Sequence, residues 1–269
     1  MKLTYLGTAA AEGFPALFCR CEYCMEARKL GGKNIRTRSQ SLVNDDLLID
    51  LPADTYHHFL VNNIEADKIK YLLITHAHSD HIYPLELENH HGAYAHNMRE
   101  ETLKVYCSKE VSDIIGTPFP NIEITVLSPY ETVDIGGYKI TPLPARHKSV
   151  KEPFIYIIEG DKTLLYAHDT GYFLDEVLDY LENEKPVFDM VSFDCTNVDI
   201  KASDEGSHMG FSNIERLSAK LKNIGAITEN TKLFVNHFSH NGNPIHEHLV
   251  SRANEYGMEV SYDGCVVEI

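Results

Sequence analysis

Residues 75–81 read Thr-His-Ala-His-Ser-Asp-His and follow directly on the apolar run Lys70-Tyr71-Leu72-Leu73-Ile74. That order puts His76, His78, Asp80 and His81 on one short loop at the end of a buried strand. Four such ligands in six residues are too many for one structural zinc on a regular helix or strand. They suit two adjacent metal ions, His76 and His78 on one, Asp80 and His81 on the other. The fold is constrained accordingly, because the missing ligands have to arrive at the same place from other elements. His147 follows Leu143-Pro144-Ala145-Arg146, Asp169 follows Tyr166-Ala167-His168, and His237 follows Leu233-Phe234-Val235-Asn236. Each stands just past an apolar, strand-like stretch, so all three can converge with the first motif at one sheet edge. Two more histidines and one carboxylate are what a dinuclear site still needs.

The rest of the chain alternates between strand and helix signals. Strands are expected at Lys2–Leu6, Asp46–Asp50, Ile69–Thr75, Leu103–Cys107, Glu123–Leu127 and Tyr138–Pro142. A second series follows, with Phe154–Glu159 and Thr163–Ala167 joined by the turn Gly160-Asp161, then Met190–Asp194, Leu233–Asn236 and Cys265–Glu268. Helical spacing marks Pro52–Asn62 and Phe173–Glu184. Ser212-Asn213-Ile214-Glu215 has the pattern of a capping box, with Ser212 as N-cap of a helix running to about Leu221. Two strand-rich halves, each with helices, predict an α/β fold of two packed sheets flanked by helices.

Charge and composition narrow the partners. The formal charge of −16 opposes binding of extended nucleic acid, which needs a basic footprint. It still admits a small anionic substrate, because bound metals reverse the local sign. No apolar run approaches membrane-spanning length, and Met1-Lys2-Leu3-Thr4-Tyr5-Leu6-Gly7 reads as strand and turn instead of a signal peptide. The expected compartment is the cytoplasm. In such a reducing setting Cys19, Cys21 and Cys24, in Cys-x-Cys-x-x-Cys spacing, suggest a structural zinc that wants a fourth ligand. Cys107, Cys195 and Cys265 stand singly and are expected as small buried hydrophobes.

Taken together, these residues resemble the metallo-β-lactamase superfamily, whose signature His-x-His-x-Asp-His matches residues 76–81. The resemblance covers nearly the whole chain and implies an αββα sandwich of two mixed sheets flanked by helices, a single domain over residues 1–269. It implies that His76, His78 and His147 hold one metal, that Asp80, His81 and His237 hold the other, and that Asp169 bridges them. More narrowly, the chain resembles the carbon–phosphorus lyase pathway phosphodiesterase subfamily, which pairs this site with an N-terminal cysteine zinc loop, here at residues 13–26. In that subfamily the fourth structural ligand lies three residues after the last catalytic-metal histidine, which is His240 here. A functional histidine stands in the loop corresponding to His208, beside glycines and shortly before a helix, implying a phosphate contact or general acid.

The resemblance therefore implies a dinuclear metal-dependent phosphodiesterase hydrolysing small phosphate esters of ribose or nucleotides, cyclic ones in particular, by metal-hydroxide attack. Asp80 is expected to orient the nucleophile as well as bind metal. Manganese, zinc and iron all suit the His/Asp set, alongside one structural zinc. A homodimer is also implied. The alternatives are a thioester or lactone hydrolase of the same fold, a transfer-RNA 3′-processing-type nuclease, and a non-enzymatic metal-binding protein. His81 argues against a β-lactamase, and no Lys/Gly-rich insertion offers the nuclease's substrate-holding arm. The chain departs from the subfamily between Glu86 and Met98, where His90, His91 and His96 are candidates for the substrate entrance. His57 and His58 are expected as surface or packing residues, His168 as turned away from the metals, and His246 and His248 as solvent-exposed. Arg146 could contact phosphate or pair with an acid.

Overall fold

Two seven-stranded mixed sheets pack face to face in the computed structural model, which describes residues 1–116 and 119–269. The first contains β1 (Lys2–Gly7), β2 (Gln40–Val43), β3 (Leu47–Ile49), β4 (Tyr71–Leu73), β5 (Leu103–Cys107), β6 (Ile122–Val126) and β14 (Cys265–Glu268), in the order β14-β1-β2-β3-β4-β5-β6. The second contains β7 (Val133–Ile135), β8 (Tyr138–Pro144), β9 (Phe154–Glu159), β10 (Thr163–Ala167), β11 (Met190–Asp194), β12 (Lys232–Asn236) and β13 (Glu259–Val260), in the order β13-β12-β11-β10-β9-β8-β7. Helices α1 (Glu22–Leu30), α2 (Thr55–Val61), α3 (Lys109–Ile115), α4 (Asp175–Glu184), α5 (Phe211–Asn223) and α6 (His246–Glu255) complete the αββα arrangement.

The strands read as apolar runs because both of their faces are covered. On β9 and β10, Phe154, Tyr156, Ile158, Leu164 and Tyr166 enter the core between the sheets. Their alternates Ile155, Ile157, Leu165 and Ala167 enter the layer under the helices. A one-residue slip would exchange the two sets, so register is firmly specified. On α5, Phe211, Ile214, Leu217 and Leu221 are buried at helical spacing, each worth roughly 1.5–3 kcal/mol in removed apolar surface.

Strands β3 to β6 run parallel, as do β10 to β13. In each half the carboxyl ends of the parallel strands point the same way, and the loops that leave them supply most of the site. Such strand-end crevices are where open α/β sheets generally bind ligands.

Most predicted elements are present with shifted ends. The α5 start differs in kind. Gly210, not Ser212, is the N-cap, and Asn213 accepts from its backbone N–H at 3.2 Å. The reason is local packing: a Cβ at Gly210 would crowd the carbonyl oxygens of Val198 and Ile200, and the Asn213 amide also ties down Asp204 at 2.9 Å. Strands β2 and β7 and helices α1 and α3 carry too little local pattern to have been expected.

Candidate metal centre

Seven predicted ligands meet at the junction of the two halves. His76 and His78 leave β4, His147 leaves β8, Asp169 leaves β10 and His237 leaves β12. His78 Nδ1 lies 3.0 Å from both His76 Nε2 and His147 Nε2, so three ring nitrogens converge. Asp80, His81 and His237 form a second group. Asp169 Oδ2 stands between the groups, 2.7 Å from His81 Nε2 and 2.7 Å from His237 Nε2, while its Oδ1 is 3.7 Å from His147 Nε2.

The backbone turns sharply to present these groups. Asp50, Asp169 and His237 all adopt the left-handed region, at φ of 66°, 52° and 65°. Such conformations cost of order 1 kcal/mol or more for a non-glycine residue and cluster at functional sites.

The rings of His81, His237 and His147 are held by their outer nitrogens. His81 Nδ1 donates to Asp50 Oδ2 at 2.7 Å, and Asp50 also accepts the Thr75 N–H at 2.8 Å. His237 Nδ1 meets the Thr196 hydroxyl at 2.8 Å, and His147 Nδ1 faces the Ser207 carbonyl at 3.3 Å. The inner nitrogens are thereby aimed at one another with lone pairs inward, the arrangement that outer partners impose on metal-ligating histidines. The buried Nε2 atoms of His81 and His237 crowd Oδ2 of Asp169 at 2.7 Å, yet none of the three makes an aligned hydrogen bond among the described residues. Burial opposes a charged His81, yet Asp169, Asp50 and Asp80 together push its imidazole well above the ordinary value. Burial likewise opposes a charged Asp169, but His237 and His81 hold it well below the usual carboxylate range. A cluster that pulls a proton into its own centre is one that a divalent cation would occupy instead. The donor set fits two such ions, with Asp169 between them.

A second cluster lies behind the first. Cys21 Sγ and Cys24 Sγ are each 3.6 Å from His240 Nδ1, and Cys19 joins them. Burial pushes the Cys24 thiol up to about 12, whereas Cys19 is lowered by the Cys21 backbone N–H. Three sulfurs and one imidazole suit tetrahedral zinc. The segment His237–His240 thus joins the two clusters. It is fixed from below by Thr8, whose carbonyl accepts the Phe238 N–H at 3.0 Å, and by the buried Arg36, which lies 4.7 Å from the Phe238 ring centroid. Arg36 donates to the Thr8 hydroxyl at 2.9 Å and to the Ser261 carbonyl at 2.8 Å.

His208 reaches the same centre. Its Nδ1 is 3.0 Å from Asp194 Oδ2, and its ring stacks on His237 with centroids 5.8 Å apart. Burial alone would lower His208, but Asp194 raises it to about 9. The 203–208 loop is anchored by Arg146, which donates to Glu205 at 2.8 Å, and by Ser207, which accepts the Lys148 N–H at 2.9 Å. Arg146 therefore pairs with an acid. Gly171 allows the approach, since a Cβ there would strike the Gly206 carbonyl oxygen.

Asp50, Asp194 and Thr196 were not singled out from sequence. A signal was available for the two acids: Asp50 directly follows an apolar strand and Asp194 ends one. Other residues fall elsewhere. His168 is buried and bonded to Ser192 at 2.7 Å, away from the inward-facing nitrogens, as expected. Cys107, Cys195 and Cys265 are buried. His246 and His248 are corrected: both are half-buried, the first 3.2 Å from Arg36 Nη2 and the second paired with Asp199 at 2.8 Å. His90 and His96 line a groove against α2 that contains none of the seven ligands.

A beta-lactamase superfamily domain model matches residues 48–235. Coenzyme PQQ synthesis protein B of Acinetobacter baylyi is 23% identical, with all of both chains covered. Among solved structures, a diphosphatase from the PhnP family covers 100% of this chain and 97% of its own, with a TM-score of 0.77 and 20% identity. Zinc-bound PqqB from Methylobacterium extorquens covers 100% of both, with a TM-score of 0.75 and 19% identity.

Proposed function

Because the chain belongs to the metallo-β-lactamase superfamily, we propose that it is a dinuclear metal-dependent phosphodiesterase acting on small phosphate esters, cyclic ones of ribose or nucleotides in particular. The observation that carries the reading is the set of buried atoms, His81 Nε2, His237 Nε2 and Asp169 Oδ2, crowded toward one centre without an aligned hydrogen bond among them. Buried polar atoms are rarely left unsatisfied, and here they are the atoms that would bind metal. His76, His78 and His147 would hold one ion, Asp80, His81 and His237 the other, with Asp169 shared. Two divalent ions bound there supply Lewis-acid charge at phosphoryl oxygens and lower the pKa of water.

The chain's own groups divide the remaining work. Asp80 lies at the site's edge, where burial opposes its charge but His81 holds the carboxyl below its ordinary range, so it stays an acceptor that can orient a water. Asp194 keeps His208 protonated through Nδ1, leaving the Nε2 proton for the departing oxygen of the ester. Glu12 accepts from Ser239 Oγ at 2.6 Å and from the His240 N–H at 3.2 Å, which steadies the segment bearing His237. The cysteine cluster with His240 would hold a structural zinc behind that segment. Similarity in fold to a PhnP-family diphosphatase supports phosphate-ester chemistry.

The test is hydrolysis of 2′,3′-cyclic AMP by manganese- or zinc-loaded protein, with Asp80→Ala as the blank. Turnover that vanishes in the variant is expected. Absence of turnover from protein shown to hold its metals would move the assignment to thioester or lactone hydrolysis.

A further inference from the structure

On the outer face of the first sheet lies a groove of 590 Å³ that the metal centre does not use. It exists because the covering layer is thin there. Helix α2 has only seven residues, and the chain after His81 runs as a short 3-10 segment, Pro84–His90, followed by irregular backbone. The floor is apolar, made by Leu48, Leu51, Phe59, Leu87 and Met98. The rim carries apolar side chains that packing does not explain: Tyr56, Leu60 and Tyr94 are 68%, 63% and 71% exposed. Concentration of such residues around a concavity marks a binding site more often than a bare surface.

Charge selects the ligand. Among the described residues, no lysine or arginine lines the groove. Its two carboxylates differ in state. Asp67 is neutralised by Arg99, with both oxygens 2.7 Å from guanidinium nitrogens, whereas among the described residues the Glu86 side chain meets only the Asn89 amide, at 3.2 Å. Burial and the neighbouring His91 lower His90, so it adds no positive charge at neutral pH. A phosphate ester is the wrong sign for such a lining.

We propose that this groove binds a compact apolar amine, its apolar body on Leu51, Phe59 and Leu87 and its ammonium against Glu86. The volume lies within the roughly 300–1,000 Å³ of small-molecule sites. The site adjoins the metal loop, since the Leu51 N–H donates to the His81 carbonyl at 2.8 Å and the Leu51 carbonyl accepts the Tyr83 N–H at 2.7 Å.

The chain contains no tryptophan, so an indole probe excited at its red edge is read against a dark protein. Fluorescence anisotropy of tryptamine, indole and indole-3-acetate is titrated with the full-length, metal-loaded protein. Tryptamine should saturate at one per chain, and indole-3-acetate should bind at least about tenfold more weakly. Glu86→Gln should weaken tryptamine about tenfold and leave indole unchanged. Tyr94→Ala, at an exposed position that folding tolerates, should weaken tryptamine and indole alike. Equal binding of the amine and the acid, no saturation of tryptamine in the millimolar range, or full binding by folded Glu86→Gln would overturn the proposal. So would sedimentation showing a dimer whose dissociation constant rises in Tyr94→Ala, since a second copy would then occupy the groove. None of these outcomes depends on the phosphodiesterase reading.

Discussion

A chain of short buried hydrogen bonds runs beneath the first sheet, and counting its protons leads to a sharp expectation for Asp263. Gln40 Nε2 donates to the Asp50 carbonyl at 2.9 Å and to Thr55 Oγ1 at 2.9 Å, so its Oε1 must accept from His58 Nδ1 at 2.6 Å. His58 Nε2 is 2.6 Å from Thr37 Oγ1, and Thr37 Oγ1 is 2.6 Å from Asp263 Oδ2. One hydroxyl hydrogen cannot serve both contacts. A further proton must reside on His58 or on Asp263. Burial pushes His58 down to about 4, and burial raises Asp263 despite its bonds to Thr37 and Thr8 and the charge of Arg36. Both effects shift the proton toward Asp263, which would then be a neutral carboxylic acid donating to Thr37.

The linkage has a definite sign. A carboxyl whose folded value is raised binds a proton that the unfolded chain has already released above about pH 3.9. The stability it contributes is complete below that pH and is lost as pH rises through the folded value, at about 1.4 kcal/mol per unit. Asp263→Asn cannot titrate, while the metal ligands and His58 are common to both proteins. The stability of the native chain minus that of Asp263→Asn should therefore fall with rising pH from about pH 3.9 up to the folded value, and level off above it. Urea denaturation midpoints of the two proteins, at matched metal loading from pH 4.5 to 7, measure it. Parallel pH curves would refute the proton count as assigned, because an ionised Asp263 contributes no slope in that window.

Other perturbations separate the parts of the proposed site. His208→Ala should lower kcat by roughly 10²–10⁴-fold with metal content unchanged, read by steady-state kinetics and elemental analysis. Asp194→Asn removes the charge that holds His208 protonated, so the pH above which activity declines should move downward in a pH–rate profile. Gly171→Ala drives the Gly206 carbonyl away and should cost at least about tenfold in kcat, again at full metal content, since small displacements of a positioned group are expensive. Cys24→Ser should drop one zinc per chain and lower the melting temperature by at least about 5 °C, seen by calorimetry with metal analysis.

How far the sequence led depends on the kind of signal. The seven residues that converge at the centre were readable because a His or Asp close past an apolar strand is visible on a single strand. His240 was readable only through resemblance, since nothing local ties it to Cys19, which the fold alone brings near. Asp194 was passed over because one buried acid at the end of β11 has no neighbouring ligand residue to raise suspicion, although it bonds His208. Helix α1 was missed because Glu22–Leu30 buries only Cys24 and Ala27, too few residues to write an apolar stripe. The role of Arg36 was unreadable, for its partners Thr8, Phe238 and Ser261 are brought together only by packing of distant segments.

The four-residue cluster on the loop after β4 belongs to the first half of the chain, and His147, Asp169 and His237 belong to the second. Neither half alone carries a complete triad for either ion. Each would be a poor chelator and only the closed sandwich a good one, so metal bound at the seam would act as a bolt through two plates. At free metal a hundredfold above its dissociation constant, each occupied position would add about 2.7 kcal/mol to the joined state. Metal starvation should thus lower the unfolding free energy of the closed sandwich by that amount for each position vacated.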